Sequence, residues 1–176
     1  PALGGTQRPA RIAGRELGRW AVLAGNFMNA ETATDLGLVT HLVDINDVPN
    51  CIKDIHASGK PDNKYPGKPM NENSPVVKFA KKFFSDGNMA ALLAGSCPDG
   101  FDAEDKTVAR QLKSLKFTAP IGLAMASERI DATASMSLDE GLQLELQGLD
   151  RIFSTEDALE GLSALIEGRR ATYKNA

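Results

Sequence analysis

Pro1-Ala-Leu-Gly-Gly-Thr-Gln-Arg-Pro-Ala-Arg-Ile-Ala-Gly14 is the stretch on which the reading of this 176-residue chain turns. The paired glycines at 4 and 5 let the backbone turn sharply and approach a ligand, because neither carries a Cβ. Thr6 follows as a candidate cap for a helix over residues 6–13, which Gly14 would end. A helix start reached through glycines suits a polar or anionic ligand group. An ordinary loop-to-helix turn uses the same letters, and spacing alone leaves both readings open.

Outward from this stretch the chain reads mainly as helices. Residues 15–24 are dense in apolar side chains, with Trp20 as core, and Gly25 stops them. Asn29 caps a short helix over 30–36, with Glu31 where the helix dipole favours a negative charge. Leu38-Val-Thr-His-Leu-Val43 is β-branched and bounded by Gly37 and Asp44, so it reads as the one strand, with His41 structural within it. A helix over 47–57 with His56 exposed precedes a surface loop over 58–73. That loop is rich in Lys, Pro, Gly, Asn and Asp, and Lys60, Lys64 and Lys68 read as solvated. Helix resumes at Ser74-Pro75, over 88–94, over 103–115 and behind Thr118-Ala-Pro120. Ser137-Leu-Asp-Glu140 has the capping-box pattern, for a helix that would place Leu138, Leu142, Leu149 and Phe153 broadly on one side. Ser154-Thr-Glu-Asp157 caps a last helix, ended by Gly168-Arg-Arg170. The fold class read from this pattern is mainly α with a small β contribution.

Composition narrows the function. A net charge of −3 gives no electrostatic reason to propose a nucleic-acid partner. No apolar run reaches the roughly 18 to 20 residues of a membrane span, and no signal peptide opens the chain. Cys51 and Cys97 lie far apart in no CxxC pattern, as in a reduced, cytoplasmic protein. The scattered histidines and cysteines make no metal site, and there is no Walker loop or GxSxG elbow, so no cofactor is expected. Most carboxylates sit where capping or solvation explains them. Glu145, among Leu142, Leu144, Leu146 and Leu149, is expected as a partly exposed helix glutamate paired with a basic neighbour. Read from its residues alone, the chain holds no self-contained active site; the front loop and the basic pair Arg169-Arg170 are its only hints of a ligand.

Pro1-Ala-Leu-Gly-Gly-Thr-Gln-Arg8 resembles the Pro-Gly-x-Gly-Gly-Thr-Gln-Arg motif of the crotonase family of enoyl-CoA hydratases and isomerases. Residues 14–24, Asn29-Ala-Glu-Thr-Ala33, Gly37-Leu-Val39, Thr118-Ala-Pro120, Leu138-Asp-Glu-Gly-Leu142 with Glu145, and Phe153-Ser-Thr-Glu-Asp-Ala-Leu-Glu-Gly161 resemble later family segments in the family's order. Residues from about 45 to 117 match least and are longer than in compact members. The tail from Phe153 to Arg170 resembles crotonase modules fused behind a 3-hydroxyacyl-CoA dehydrogenase.

The resemblance implies the C-terminal part of a ββα-spiral fold with trimerisation helices, in a trimer or dimer of trimers, acting on acyl-CoA. It divides the chain into the end of the spiral core with its pocket loop (1–45), a variable helical insertion (46–117) and a C-terminal helical oligomerisation region (118–176). The implied parent is an enoyl-CoA hydratase of fatty-acid β-oxidation, with enoyl-CoA isomerase and 3-hydroxyacyl-CoA hydrolase as alternatives. Paired N–H groups would stabilise the thioester oxygen, and carboxylates would move protons to and from the acyl chain. In family hydratases these groups precede the Gly-Gly-Thr-Gln motif, so this chain alone is expected to carry no catalytic residue and no activity. Ala2, Leu3, Gly4, Gly5 and Thr6 would line the acyl pocket, with Ala2 where the family carries glycine. Leu149 occupies a position where some members set an aromatic residue against the adenine. Gly168 takes the place of a lysine that meets CoA phosphate, leaving Arg169 or Arg170 as substitutes. A reading of another class is a helical oligomerisation module without catalysis, motivated by the capped, apolar C-terminal helices.

Overall fold

The computed structural model describes residues 2–62 and 64–176. Its helices are α1 (Arg8–Ala13), α2 (Arg15–Val22), α3 (Ala30–Asp35), α4 (Val48–Ser58), α5 (Pro75–Phe83), α6 (Met89–Leu93), α7 (Lys106–Lys116), α8 (Pro120–Ala132), α9 (Leu138–Gln147), α10 (Leu149–Phe153) and α11 (Glu156–Glu167). No strand forms among the described residues, so the β contribution expected at Leu38–Val43 is corrected. An extended segment must pair its N–H and C=O groups along a ladder. Here the Leu38 and Val39 N–H groups turn back onto the Ala33 carbonyl of α3 at 2.9 and 3.2 Å, and a passing loop supplies Lys68 N–H to the Thr40 carbonyl at 2.9 Å.

The chain divides into two compact units, Pro1–Asn26 with Ala80–Ala176, and Phe27–Phe79. In the smaller unit, Asn29 caps α3 as its letters predict, accepting from Thr32 N–H at 2.8 Å. Left-handed Gly59, at φ 75°, ends α4, and Cys51 is buried.

The larger unit holds every residue of the predicted site. Its α2 packs on α1 and α8, α8 on α9, and α10 on both α9 and α11. The core between them includes Leu17, Trp20, Phe83, Leu92, Leu115, Leu123 and Ile130. Burying each large apolar side chain of this kind contributes about 1.5–3 kcal/mol. Gly18 sets how closely α1 and α2 approach: a Cβ there would lie 2.8 Å from Ala10 Cα.

Arg19, buried in the same unit, was not legible as a functional or structural hub. Its guanidinium donates to the Phe84 carbonyl at 2.9 Å, to Asp86 at 2.7 Å and to Asp131. Burial opposes its charge, but the bonds to Asp131 and Asp86 outweigh that opposition and raise its pKa. The hydrogen bond from Arg19 correspondingly holds the Asp86 carboxyl below its usual range.

The capping box at the start of α9 forms as read. Ser137 Oγ accepts from Glu140 N–H at 3.3 Å, and Glu140 accepts from Ser137 N–H at 2.8 Å. The helix expected to run on through Phe153 instead breaks at Gly148. A Cβ at Gly148 would fall 1.9 Å from an Arg129 terminal nitrogen, so this break is where α8 presses in. Leu138 and Phe153 consequently do not share one helical face. The last helix ends as read, at left-handed Gly168 with φ 66°.

Candidate functional site

The front loop does not cap α1 with Thr6. Gln7 occupies the N-cap position without a side-chain cap bond. The first amides close instead on the backbone: Gln7 N–H and Arg8 N–H donate to the Gly4 carbonyl at 3.1 and 2.8 Å. Gly4 takes φ 83°, which glycine adopts without strain. Leu3 before it takes φ 59° while 91% exposed, an uncommon backbone state for a residue with a side chain.

The amides that face inward meet a carboxylate of the same chain. Gly4 N–H donates to Glu145 Oε2 at 2.6 Å, and Thr6 N–H donates to Oε1 at 2.8 Å. The Thr6 hydroxyl also donates to Oε1. Glu145 is buried and forms no ion pair among the described residues, which corrects the expected exposed glutamate with a basic partner. The reason is local geometry: three donors converge on it from one turn, enough to hold a buried anion without a cation. Gly5 N–H is taken internally as well, by the Ala2 carbonyl at 3.1 Å.

Behind the turn lies a second polar layer that the sequence reading missed. Gln7 is fully buried. Its Nε2 donates to Thr6 Oγ1 at 3.2 Å and to the Arg129 carbonyl at 3.0 Å, and its Oε1 accepts from Arg11 at 3.1 Å. Arg11 also donates to the Met136 and Ser137 carbonyls at 2.8 and 2.9 Å. Gly141 makes room for this layer, since a Cβ there would lie 1.9 Å from Gln7 Oε1. The signal for Gln7 in the sequence was its place in the Gly-Gly-Thr-Gln-Arg motif, which says nothing of what it packs against.

On its outer side the turn borders an apolar groove of about 380 Å³ lined by Ala2, Leu3, Arg8, Leu142, Glu145, Leu146 and Leu149. Three of the predicted residues, Ala2, Leu3 and Leu149, therefore meet at one place. Gly4, Gly5 and Thr6 form the turn beside it. A second cavity, of about 230 Å³, lies behind Thr6 and Glu145 and includes Arg129, Leu123 and Ile152.

Arg169 and Arg170 lie elsewhere, around a depression of about 350 Å³ with Phe117, Leu165 and Tyr173. Arg169 makes a bidentate pair with Glu160, at 2.6 and 2.8 Å, and reaches Glu167 at 2.5 Å. The Arg169 bond, with a second from Thr172 N–H, holds the Glu160 carboxyl down at about 2. The Arg170 guanidinium lies 4.4 Å over the Phe117 ring. Among the described residues no three His, Cys, Asp or Glu side chains gather as metal ligands, and no helix is long and apolar enough to cross a membrane.

A mainly helical chain with a glycine turn clamped beside an apolar groove is a scaffold for a small-molecule site. The family described as enoyl-CoA hydratase/isomerase matches residues 1–174, and the chain belongs to that crotonase family. It is 25% identical over 175 residues to the mitochondrial enoyl-CoA hydratase of Pongo abelii, an alignment covering 99% of this chain and 41% of the relative. A probable mitochondrial enoyl-CoA hydratase of Dictyostelium discoideum is 24% identical, covering 99% and 43%. A probable enoyl-CoA hydratase of Rhizobium meliloti (strain 1021) is 23% identical, covering 99% and 46%. The chain thus spans less than half the length of these curated relatives.

Proposed function

We propose that this chain is the C-terminal part of an enoyl-CoA hydratase, in which the Ala2–Thr6 loop forms one wall of the acyl pocket. The observation that carries the reading is the apolar groove between Ala2 and Leu3 on one side and Leu142, Leu146 and Leu149 on the other. An acyl chain offers the apolar surface such a groove would remove from water. Hydration adds water across the double bond next to the thioester. The N–H pair for the thioester oxygen and the proton-moving carboxylates belong, in this reading, to a ββα-spiral segment outside these 176 residues. Isomerase or hydrolase chemistry would use the same wall. Fusion to a 3-hydroxyacyl-CoA dehydrogenase, a role in β-oxidation and cytoplasmic placement belong to the same proposal. Localisation of a tagged chain tests the compartment against the mitochondrial naming of two relatives.

For the CoA end, Arg170 is the better candidate of the basic pair. Arg169 is already neutralised by Glu160 and Glu167, whereas Arg170 carries no salt bridge among the described residues. Leu149, expected against the adenine, lines the groove with Ala2 and Leu3 and is here read as part of the acyl wall.

The test is titration of the 176-residue chain with octanoyl-CoA and with CoA, followed by methyl NMR, beside an assay for loss of crotonyl-CoA. Octanoyl-CoA should shift the methyls of Leu142, Leu146 and Leu149 where CoA does not, with no turnover. Absence of those shifts overturns the acyl-wall reading. Turnover at rates typical of hydratases overturns the division of labour.

A second reading, oligomerisation, rests on α11 and its approach. Leu159, Leu162, Leu165 and Ile166 are 69%, 53%, 78% and 86% exposed, a large apolar surface for a free helix. Homotrimerisation would bury it, and sedimentation of the chain as a strict monomer would remove this reading.

A further inference from the structure

We propose that Glu145 is a positioning residue: from α9 it fixes the backbone of the Gly4–Thr6 turn and so sets the shape of the groove that takes the acyl chain. This rests on the reading of the groove as the acyl site. One buried carboxylate accepts from two backbone amides and a hydroxyl of a single turn. The same short stretch of helix and its continuation carry the opposite wall, since Leu142, Leu146 and Leu149 flank Glu145. Glu145 thus ties the two walls together from α9, while Arg8, which donates to the Leu3 carbonyl, braces the turn from its own side. Leu3 sits at φ 59° directly before the clamped Gly4, so the turn is held in a state that its sequence does not favour.

The turn's donors call for a carboxylate here. An apolar side chain at 145 would leave two inward amides and a hydroxyl without their acceptor. Glutamine is nearly isosteric but not equivalent. With its carbonyl facing Thr6, its NH₂ would point at the Gly4 N–H, donor against donor. The carboxylate is the group of that size that accepts at both ends. Gln7 supports the arrangement from behind by donating to Thr6 Oγ1, which leaves the Thr6 hydroxyl proton for Glu145.

The test uses the 176-residue chain, with amide hydrogen exchange at Gly4 and Thr6 and NMR titrations with butyryl-CoA, octanoyl-CoA and CoA. In Glu145→Gln, exchange at Gly4 should rise about tenfold or more, as expected for loss of one charge-assisted hydrogen bond, and exchange at Thr6 should rise less. The preference for octanoyl-CoA over butyryl-CoA should fall, with CoA binding unchanged. Thr6→Ser keeps the hydroxyl donor and should retain the preference. Thr6→Val keeps the shape without the donor and should lose it, which reads the same contact should Glu145→Gln fail to fold. A released Gly4 with an unchanged chain-length preference overturns the positioning role. An unaltered chain with no preference at all removes the acyl reading instead, while faster Gly4 exchange in Glu145→Gln would still show that Glu145 holds the turn.

Discussion

Gly141→Ala is the sharpest probe of the polar layer behind the turn. On propensity alone it should help, because alanine in a helix interior is favoured over glycine by about 1 kcal/mol. The geometry predicts the reverse. The new Cβ would lie 1.9 Å from Gln7 Oε1 and 2.5 Å from its Cδ, so the contact must open by more than about 1 Å. Gln7 has nowhere to go, being fully buried. Moving it forfeits its bonds to Thr6, the Arg129 carbonyl and Arg11, three interactions worth about 1 kcal/mol each. Moving α9 instead drags Glu145, one turn along the same face, off the Gly4–Thr6 amides. Either route should leave a net loss of about 2 kcal/mol. The assay is urea unfolding followed by fluorescence of Trp20, the single and buried tryptophan. Gly87→Ala is the control: nothing lies within 4 Å of its Cβ, and its midpoint should hold. The decisive step is a cycle with Gln7→Ala. In that background Gly141→Ala should become neutral or stabilising, and an undiminished penalty would refute the steric account.

Three further outcomes follow from the same geometry. Arg19→Lys should lower the unfolding free energy by about 2 kcal/mol, because one ammonium cannot replace the fork that reaches Phe84, Asp86 and Asp131; an unchanged urea midpoint would contradict this. Leu3→Gly should cost the fold less than about 0.5 kcal/mol, since it relieves left-handed backbone at an exposed side chain while adding unfolded-state entropy, whereas Leu17→Ala in the core should cost about 2–5 kcal/mol in the same assay. Glu160 has a folded-state pKa depressed from 4.5 to about 2, so its contribution is complete above 4.5 and disappears as pH falls through about 2. The Thr172 amide resonance, which reports its bond to Glu160, should titrate near 2, and a midpoint near 4.5 would show the tail unpaired from α11.

What the sequence disclosed was local. Asn29, the Ser137–Glu140 pair and Gly168 act within one or two helical turns of themselves, and each does what its type predicts. The strand at Leu38–Val43 failed because β-branched letters say nothing about whether a partner lies alongside. The features that build the site are remote in the chain. Glu145 is separated by 141 and 139 residues from the amides it holds, and Arg19 by 112 from Asp131. Gln7 could not be read as core without knowing that Gly141 faces it. The paired glycines located the turn and the family resemblance gave it a role, but only packing identified what fills it.

That occupant decides what the turn can do. Glycines before a helix suggest a cradle for an external anion, but here the anion is internal and its donors are spent. A phosphate approaching Gly4 would have to displace Glu145, which already accepts from the Gly4 and Thr6 amides and forms no ion pair among the described residues. On the proposed reading, the turn would act on an acyl chain through shape. Gly4 leaves room for the Arg8 guanidinium and for Leu142 of α9, which a Cβ there would meet at 1.9 and 3.1 Å, and the outer side of the turn presents Ala2 and Leu3 to an apolar groove. In that setting the methyl of Ala2, where the family pattern has glycine, lies on the ligand side of the wall. It belongs with the residues that would set how much of an acyl chain fits, and Ala2→Gly should broaden the range of acyl-CoA lengths that shift the groove methyls without altering exchange at Gly4.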